Sequence, residues 1–523
     1  GLAGTQTSLL EWESLLATLT QLKALDSENQ QLPRVAVAAG DAAYDAQLWD
    51  VADQIYAFVQ SLPEDHPFAI PARSGAAHTT YELGRFEKSA ELFQAIGRTP
   101  GIDLELRSHC AYMVALSLRQ AGRLDESLEQ FEITAKAFQR ESAPETNEQL
   151  AACRNAYRSA KGGARVAREL MKTEQADRLY ESAFQQLKLL PAKEQKELDL
   201  LINEWADLSY NAKDFSRSDE LYRLLLKERP DSDLADEARL ILAESLRFDG
   251  NLTAAQDEFQ KLFLDPRSDE FVRQRAVVHL LDLLAESKDW GASLELSEKV
   301  LGEFPQSEHR LYTEYRRGEA LLQLKKTDEA IQQLTRLKEA LANDLGSAPA
   351  WWPETWLLLA EAQFLKKDYS SMDETLGDLN VLGDGLPVLY RAEALRGRSL
   401  ESRARFDEAR EAYQRVIDSP AGKGTETAAE AQFRIAESYL KQNNLPTALK
   451  EYIKVFVGYD APRFQSAALY QAGSVDATLK NWREAATTFR TLIEKFPESD
   501  FATQAQSELE KIETAFPELK MES

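Results

Sequence analysis

Five stretches of this chain repeat one pattern, and that recurrence limits the fold more than any other feature. KDFSRSDELYRLLLKERPDSD (213–233) returns in outline as GNLTAAQDEFQKLFLDPRSD (250–269), KDWGASLELSEKVLGEFPQS (288–307), ARFDEAREAYQRVIDSP (404–420) and KNWREAATTFRTLIEKFPESD (480–500). Each holds an aromatic residue or leucine, a small residue three positions on, and usually another aromatic or leucine four beyond that. Taking the small residue as a mark gives Ala52, Ala90, Ser127, Ala176, Ser218, Ala255, Ser293, Ala330, Met372, Ala409, Ala448 and Ala485, with Met372 the one large exception. The intervals are 38, 37, 49, 42, 37, 38, 37, 42, 37, 39 and 37 residues. Twelve units at a near-constant period identify a stacked array of short supersecondary units.

Apolar residues spaced by three and four, as at Leu221, Leu224 and Leu225, make each segment an amphipathic helix with one stripe to bury. A small residue where the two helices of a unit cross lets their backbones approach. Pro63, Pro230, Pro266, Pro305, Pro420 and Pro497 stop the second helix, because proline lacks the N–H and clashes with the preceding turn. Asp231 and Ser232 stand where they can cap the next first helix.

The small crossing residue, the glycine or alanine twelve positions earlier (Gly40, Ala243, Gly318, Gly397, Ala436, Gly473), the leucine or tyrosine three beyond that (Leu246, Leu321, Leu400, Tyr439) and the closing proline resemble the tetratricopeptide repeat (TPR). The resemblance runs over about 460 residues and implies an all-α fold, a right-handed TPR superhelix (α-solenoid) of twelve helix-turn-helix repeats with terminal cap helices. The endings ERPDSD, EFPQSE and KFPESD resemble those of bacterial extracytoplasmic TPR proteins, the outer-membrane-assembly lipoprotein and the Tol-Pal coordinator type. That likeness implies an extracytoplasmic, periplasmic location. The chain opens on Gly1 rather than methionine, which leaves a removed signal peptide or lipid anchor open.

The expected organisation is a cap helix in 1–30, a three-repeat N-terminal array in 31–145, an irregular long repeat in 146–191, a C-terminal array in 192–499, and a cap helix with a tail in 500–523. The 49-residue interval around Lys161-Gly162-Gly163 predicts a helix that is elongated or broken, with a hinge there. Pro353, in SAPAWWPETW, suits the first turn of a helix.

Catalytic signatures are missing from the sequence. His66, His78, His109, His279 and His309 are dispersed, without paired spacing for a metal. AGKGT (421–425) lacks the first glycine of a phosphate loop and reads as an inter-repeat loop, and DSDLADE (231–237) reads as helix capping. Cys110 and Cys153 read as buried free thiols. No enzymatic activity, cofactor or metal is expected. No stretch approaches the roughly 20 apolar residues of a membrane span.

With 62 basic and 87 acidic residues, the chain carries a net charge of -25, which disfavours nucleic acid and favours a basic protein or peptide partner. No basic stripe longer than a few residues stands out. In TPR superhelices the residue after the glycine or alanine position points into the concave groove. Those residues are Asp207, Glu244, Asp282, Glu319, Glu361, Arg398 and Glu437, so six of seven consecutive units offer a carboxylate and stacking would align them as an acidic ladder. Glutamate is also simply a good helix former at a wet position. The basic clamp that some relatives use for a C-terminal carboxylate is not expected, because Asn203, Leu240 and Val278 hold the corresponding places. Trp351 and Trp352 are candidates for an aromatic anchor, and Trp356 for core packing. The function this implies is a non-catalytic scaffold, monomeric, holding a peptide or protein in its groove, with a role in bacterial cell-envelope assembly. The rival is the substrate-recruiting module of a larger enzyme complex whose catalytic part lies outside this chain.

Overall fold

The computed structural model describes residues 12–520 apart from 27–30, 61, 64, 343–350 and 384. Parts of the expected N-terminal cap and of the segment before Trp351, and the tail from 521, lie outside the described residues. Among the described residues the regular structure is helical throughout, as expected, and twelve helix pairs stand between α1 (Trp12–Leu25) and α26 (Ala502–Ala515). The first helices are α2 (Leu32–Asp45), α4 (Ala69–Glu82), α6 (Leu104–Gln120), α8 (Asn147–Glu169), α10 (Leu198–Asn211), α12 (Ala235–Phe248), α14 (Glu270–Glu286), α16 (Arg310–Gln323), α18 (Trp352–Leu365), α20 (Leu389–Ser402), α22 (Glu426–Lys441) and α24 (Pro462–Thr478). Their partners are α3 (Trp49–Ala57), α5 (Phe86–Gly97), α7 (Leu124–Phe138), α9 (Thr173–Leu189), α11 (Phe215–Glu228), α13 (Leu252–Leu264), α15 (Trp290–Glu303), α17 (Thr327–Ala342), α19 (Tyr369–Val381), α21 (Phe406–Asp418), α23 (Leu445–Gly458) and α25 (Trp482–Lys495).

One turn joins the helices of every pair. Its central residue has positive φ and is glycine at only Gly84, Gly122 and Gly250; elsewhere it is Gln47, Met171, Lys213, Lys288, Lys325, Lys367, Ala404, Asn443 or Lys480. The next N–H reaches back five residues, as from Asp214 to the Ser209 carbonyl at 2.9 Å and from Asn481 to the Asp476 carbonyl at 2.9 Å, which satisfies an orphan carbonyl of the helix end. That same residue then starts the second helix. Asp214, Asp289, Asp368 and Asn444 accept a backbone N–H three positions on, the usual N-cap bond.

These twelve turns fix the register. The small residue lies five positions after each, which makes it Ser89 in the second unit and not Ala90. Ser89 is fully buried and its hydroxyl donates to the Ala77 carbonyl at 3.0 Å, as Ser127 donates to Ala115 at 2.7 Å. The first two intervals are therefore 37 and 38. Four residues beyond the small position, in every pair but α14 and α15, sits a large side chain, among them Tyr56, Phe93, Phe131, Tyr180, Tyr222, Phe259, Tyr413, Tyr452 and Phe489, each buried to within 1%. Burying roughly 150 Å² at ~25 cal/mol/Å² makes each worth about 4 kcal/mol. The glycine sixteen residues before such a knob makes room for it: a Cβ on Gly397 would come within 2.5 Å of the Tyr413 ring.

The expected break at Gly162-Gly163 is not there. The helix α8 runs unbroken for 23 residues, and its extra turns account for much of the long interval. Its two glycines are a packing device: a Cβ on Gly162 would lie 2.9 Å from the Phe131 ring, and one on Gly163 3.0 Å from Phe131 Cβ and 3.2 Å from Leu179. The chain divides into two compact units at 272/273. In the first unit Leu15 and Leu19 of α1 are fully buried against the first pair. In the second, α26 buries Leu509 and Ile512 and turns a polar face outward.

Candidate functional site

Several consecutive first helices touch one another inside each unit, as α2 does α4 and α6 does α8 in the first, and α16 does α18 and α18 does α20 in the second, so first helices share a face of each unit. The seven ladder positions fall in register on these helices. Asp207 and Glu244 belong to the first unit and the other five to the second.

Asp207 has an internal role. It accepts the Tyr222 hydroxyl at 2.8 Å and the Asn203 amide at 3.2 Å, and Asp41 accepts Tyr56 in the same way, with the tyrosine again fifteen residues on. A carboxylate here satisfies a buried phenol, which is costly to leave without a partner. Glu244 is half-buried.

The second unit carries a mixed-charge face. Asp282 binds Arg316 at 2.7 Å and accepts the Tyr312 hydroxyl; Glu319 binds the same Arg316 at 2.7 Å. The guanidinium thus bridges α14 and its own helix α16. Arg391 spans from α20 to Glu354 of α18 at 2.8 Å, and Glu401 of α20 meets Lys441 and Arg434 of α22. Glu361 makes no hydrogen bond among the described residues, and burial outweighs Arg391 and Arg398 to push its pKa up. Burial does the same for Glu437, against Lys441. Arg398 is exposed, with its guanidinium over the Phe364 ring at 5.1 Å. Arg316, outside the register of single positions, thus pairs with two of the six ladder carboxylates, Asp282 and Glu319.

The tryptophan pair does not form an exposed anchor. Trp352 is 2% exposed, against Trp356 at 5.7 Å, and Trp351 is half-buried and stacked on Tyr315 at 5.1 Å. The indoles begin α18, and helix formation with Pro353 in the first turn turns them into the core.

The first unit holds two features that sequence reading missed. On α8, Arg154, Arg158, Lys161 and Arg165 follow one another at spacings of four, three and four residues, which places them on one face. They line two recesses of about 580 Å³ each, one between α4, α6 and α8, the other between α6, α8 and the segment before α10; Arg154 and Arg158 belong to both. The second feature is a pair of histidines from α4 and α6. His78 and His109 meet Nε2 to Nε2 at 3.1 Å, and burial lowers the pKa of both, His78 to about 4. Both rings are neutral at pH 7, one N–H donating to the other ring's nitrogen. Cys110 and Cys153 are buried free thiols as expected, with pKa values pushed by burial up to about 12 and about 11, which leaves them unreactive.

Comparison with known proteins agrees with this architecture. A family model described as tetratricopeptide repeat matches residues 395–468, and a second of the same description matches 312–340 and 467–499. The fold is thus of the helical-repeat class. Tetratricopeptide repeats are present in the second unit; the same turn recurs in every other pair, followed five positions on by a small residue in all of them but α18 and α19, where Met372 stands. Among solved structures, a chain in the crystal structure of the APC/C hetero-tetramer Cut9-Hcn1 is 13% identical, covering 96% of this chain and 94% of that one, with a TM-score of 0.31. A chain in the structure of Naa15/Naa10 bound to HypK-THB is 12% identical, covering 98% and 90%, with a TM-score of 0.41. Neither likeness bears on function.

Proposed function

We propose that this chain is a non-catalytic protein-interaction scaffold that holds a peptide or protein segment along the faces lined by its first helices. The observation that carries this is the set of half-buried charged side chains on successive first helices, joined from one first helix to the next by ion pairs such as Arg316–Asp282 and Arg391–Glu354. Such a lining is fixed before binding and repeats along its length, which suits an extended chain better than a small molecule. No described helix is long and apolar enough to cross a membrane. The loop endings support a setting in the bacterial cell envelope; a tagged protein that fractionates with the cytosol refutes that part alone.

The test is site-specific photocross-linking. A photoreactive residue at exposed Arg398 on α20 gives protein adducts, and one at exposed Thr487 on the second helix α25 gives none. Adducts confined to the Thr487 position overturn the proposal.

A further inference from the structure

The net charge of -25 conceals a local reversal. Between residues 151 and 200 there are ten Lys and Arg against seven Asp and Glu, and α8 itself has five against two. The recess between α6, α8 and the start of α10 is lined by Arg154, Arg158, Lys161 and Arg165 of α8 and by Lys193 and Lys196, opposed only by Glu194 and Glu197. Arg119 of α6 closes its far side.

Three of these cations are held in place. Arg154 meets Glu194 with two hydrogen bonds, Lys161 meets Glu197 at 2.6 Å, and Arg165 meets Glu204 with two. Lys161 is 9% exposed, so its stem and ammonium are fixed against the groove wall rather than free in solvent. The others are open: Arg158, Lys193 and Lys196 are exposed and make no hydrogen bond or ion pair among the described residues. The floor is apolar. Ile70 and Leu106 line the neighbouring recess, Tyr112 and Leu116 this one, all half-buried.

We infer that this groove of the first unit binds an extended acidic peptide segment, its Asp or Glu side chains on the α8 row and its apolar side chains on the floor. The inference rests on the scaffold reading above and gives one face its ligand chemistry. The groove's own pairs show what the wall recognises, since Glu194 and Glu197 are carboxylates three residues apart, both held by α8. From Arg154 to Arg165 the row rises about 16 Å along the helix, the reach of about five residues of extended chain. A longer nucleic-acid strand fits worse. Asp103 and Glu105 line the adjoining recess and would repel a continuing phosphate backbone, which is charged at every nucleotide, whereas a peptide can lay uncharged apolar side chains there.

The experiment is fluorescence polarisation with the intact chain and a dye-labelled dodecapeptide that alternates Glu pairs with leucine. Three probes accompany it: the same peptide with Gln for Glu, the acidic peptide with an amidated C-terminus, and single-stranded dT12. The acidic peptide binds, amidation leaves binding within twofold, the Gln peptide does not bind, and affinity falls as salt rises. The double variant Arg158→Glu with Lys196→Glu, two side chains with no hydrogen bond or ion pair among the described residues, loses roughly tenfold or more in affinity. The control variant Lys136→Glu with Lys227→Glu makes the same change in net charge on the second helices α7 and α11, and binding stays within twofold. Equal loss in both variants, equal binding of the Gln peptide, dependence on a free C-terminus, or tighter binding of dT12 each overturns the inference. Because the cross-linking test reads the second unit, either result can fail alone.

Discussion

Histidine is where single residues of this chain meet pH. The paired rings of His78 and His109 are half-buried and hydrogen-bonded to each other, and Arg158 adds a repulsive charge near His109. A folded-state pKa below the unfolded value means that the unfolded chain binds more protons as the medium acidifies. The neutral pair therefore contributes stability above pH 6.5 that is lost as pH falls toward 4, on the order of 2 kcal/mol for His78. Chemical denaturation of the first unit's helices from pH 7.5 to 4.5 shows this loss, and His78→Gln with His109→Gln flattens it. An unchanged slope in the double variant removes the pair from the account. The sequence hid this contact for a simple reason. The two residues are 31 apart, not one period apart, so a register counted in whole periods does not bring them together. The α8 row was hidden differently: its cations stand singly, three or four residues apart, and form one face only once they are placed on a helix. The ladder positions were legible, but their partners were not, because a register of single positions leaves out the arginines on the same helices.

Helix pairs obey a volume rule that the sequence shows once the register is known. The position twelve before the small mark and the position four after it meet across the pair, as Gly397 meets Tyr413, Gly473 meets Phe489 and Gly318 meets Leu334. In the pair α14 and α15 the sizes are exchanged. Leu281 takes the small residue's place and Ser297 the knob's, both fully buried, with the serine hydroxyl returned to the Ser293 carbonyl at 2.7 Å. Leu281→Ala opens a cavity and costs about 3 kcal/mol, and Ser297→Phe overpacks by about 1–3 kcal/mol. Combined, they rebuild the usual arrangement, so the double variant is more stable than the sum of the singles by at least 1 kcal/mol in a urea-denaturation cycle; strict additivity refutes the exchange. The glycines of α8 give a second test. If they marked a flexible break, Gly163→Ala would stabilise the helix by about 1 kcal/mol. Because a Cβ there meets Phe131 Cβ at 3.0 Å and Leu179 at 3.2 Å, atoms with little freedom to retreat, overpacking wins and thermal denaturation finds the variant less stable, by about 1 kcal/mol. Twelve repeats made the period easy to count, whereas a lone glycine pair offered nothing to distinguish a hinge from a close approach.

At the scale of the whole chain, what matters is that helices touch only their neighbours in sequence. Every substantial helix contact joins elements one or two apart in the chain, so the free energy of folding is close to a sum of pair terms and nearest-neighbour terms. A globular protein of 523 residues would spread the effect of a core mutation through one cooperative unit, whereas an array confines it. Phe489→Ala tests this. The ring is 1% exposed, packed with Leu469, Ala485 and Leu492 near the end of the second unit, and its loss costs about 3–5 kcal/mol. Native-state hydrogen exchange then shows faster exchange in α24, α25 and α26, by a factor of 10² or more at the upper end of that range, while the amides of α2 to α9 keep their protection. A uniform fall across both units would mean that the chain unfolds as one body and that the additive account is wrong. The ring shares its cluster with Leu509 and Ile512 of α26, so the protection of α26 falls together with that of α24 and α25.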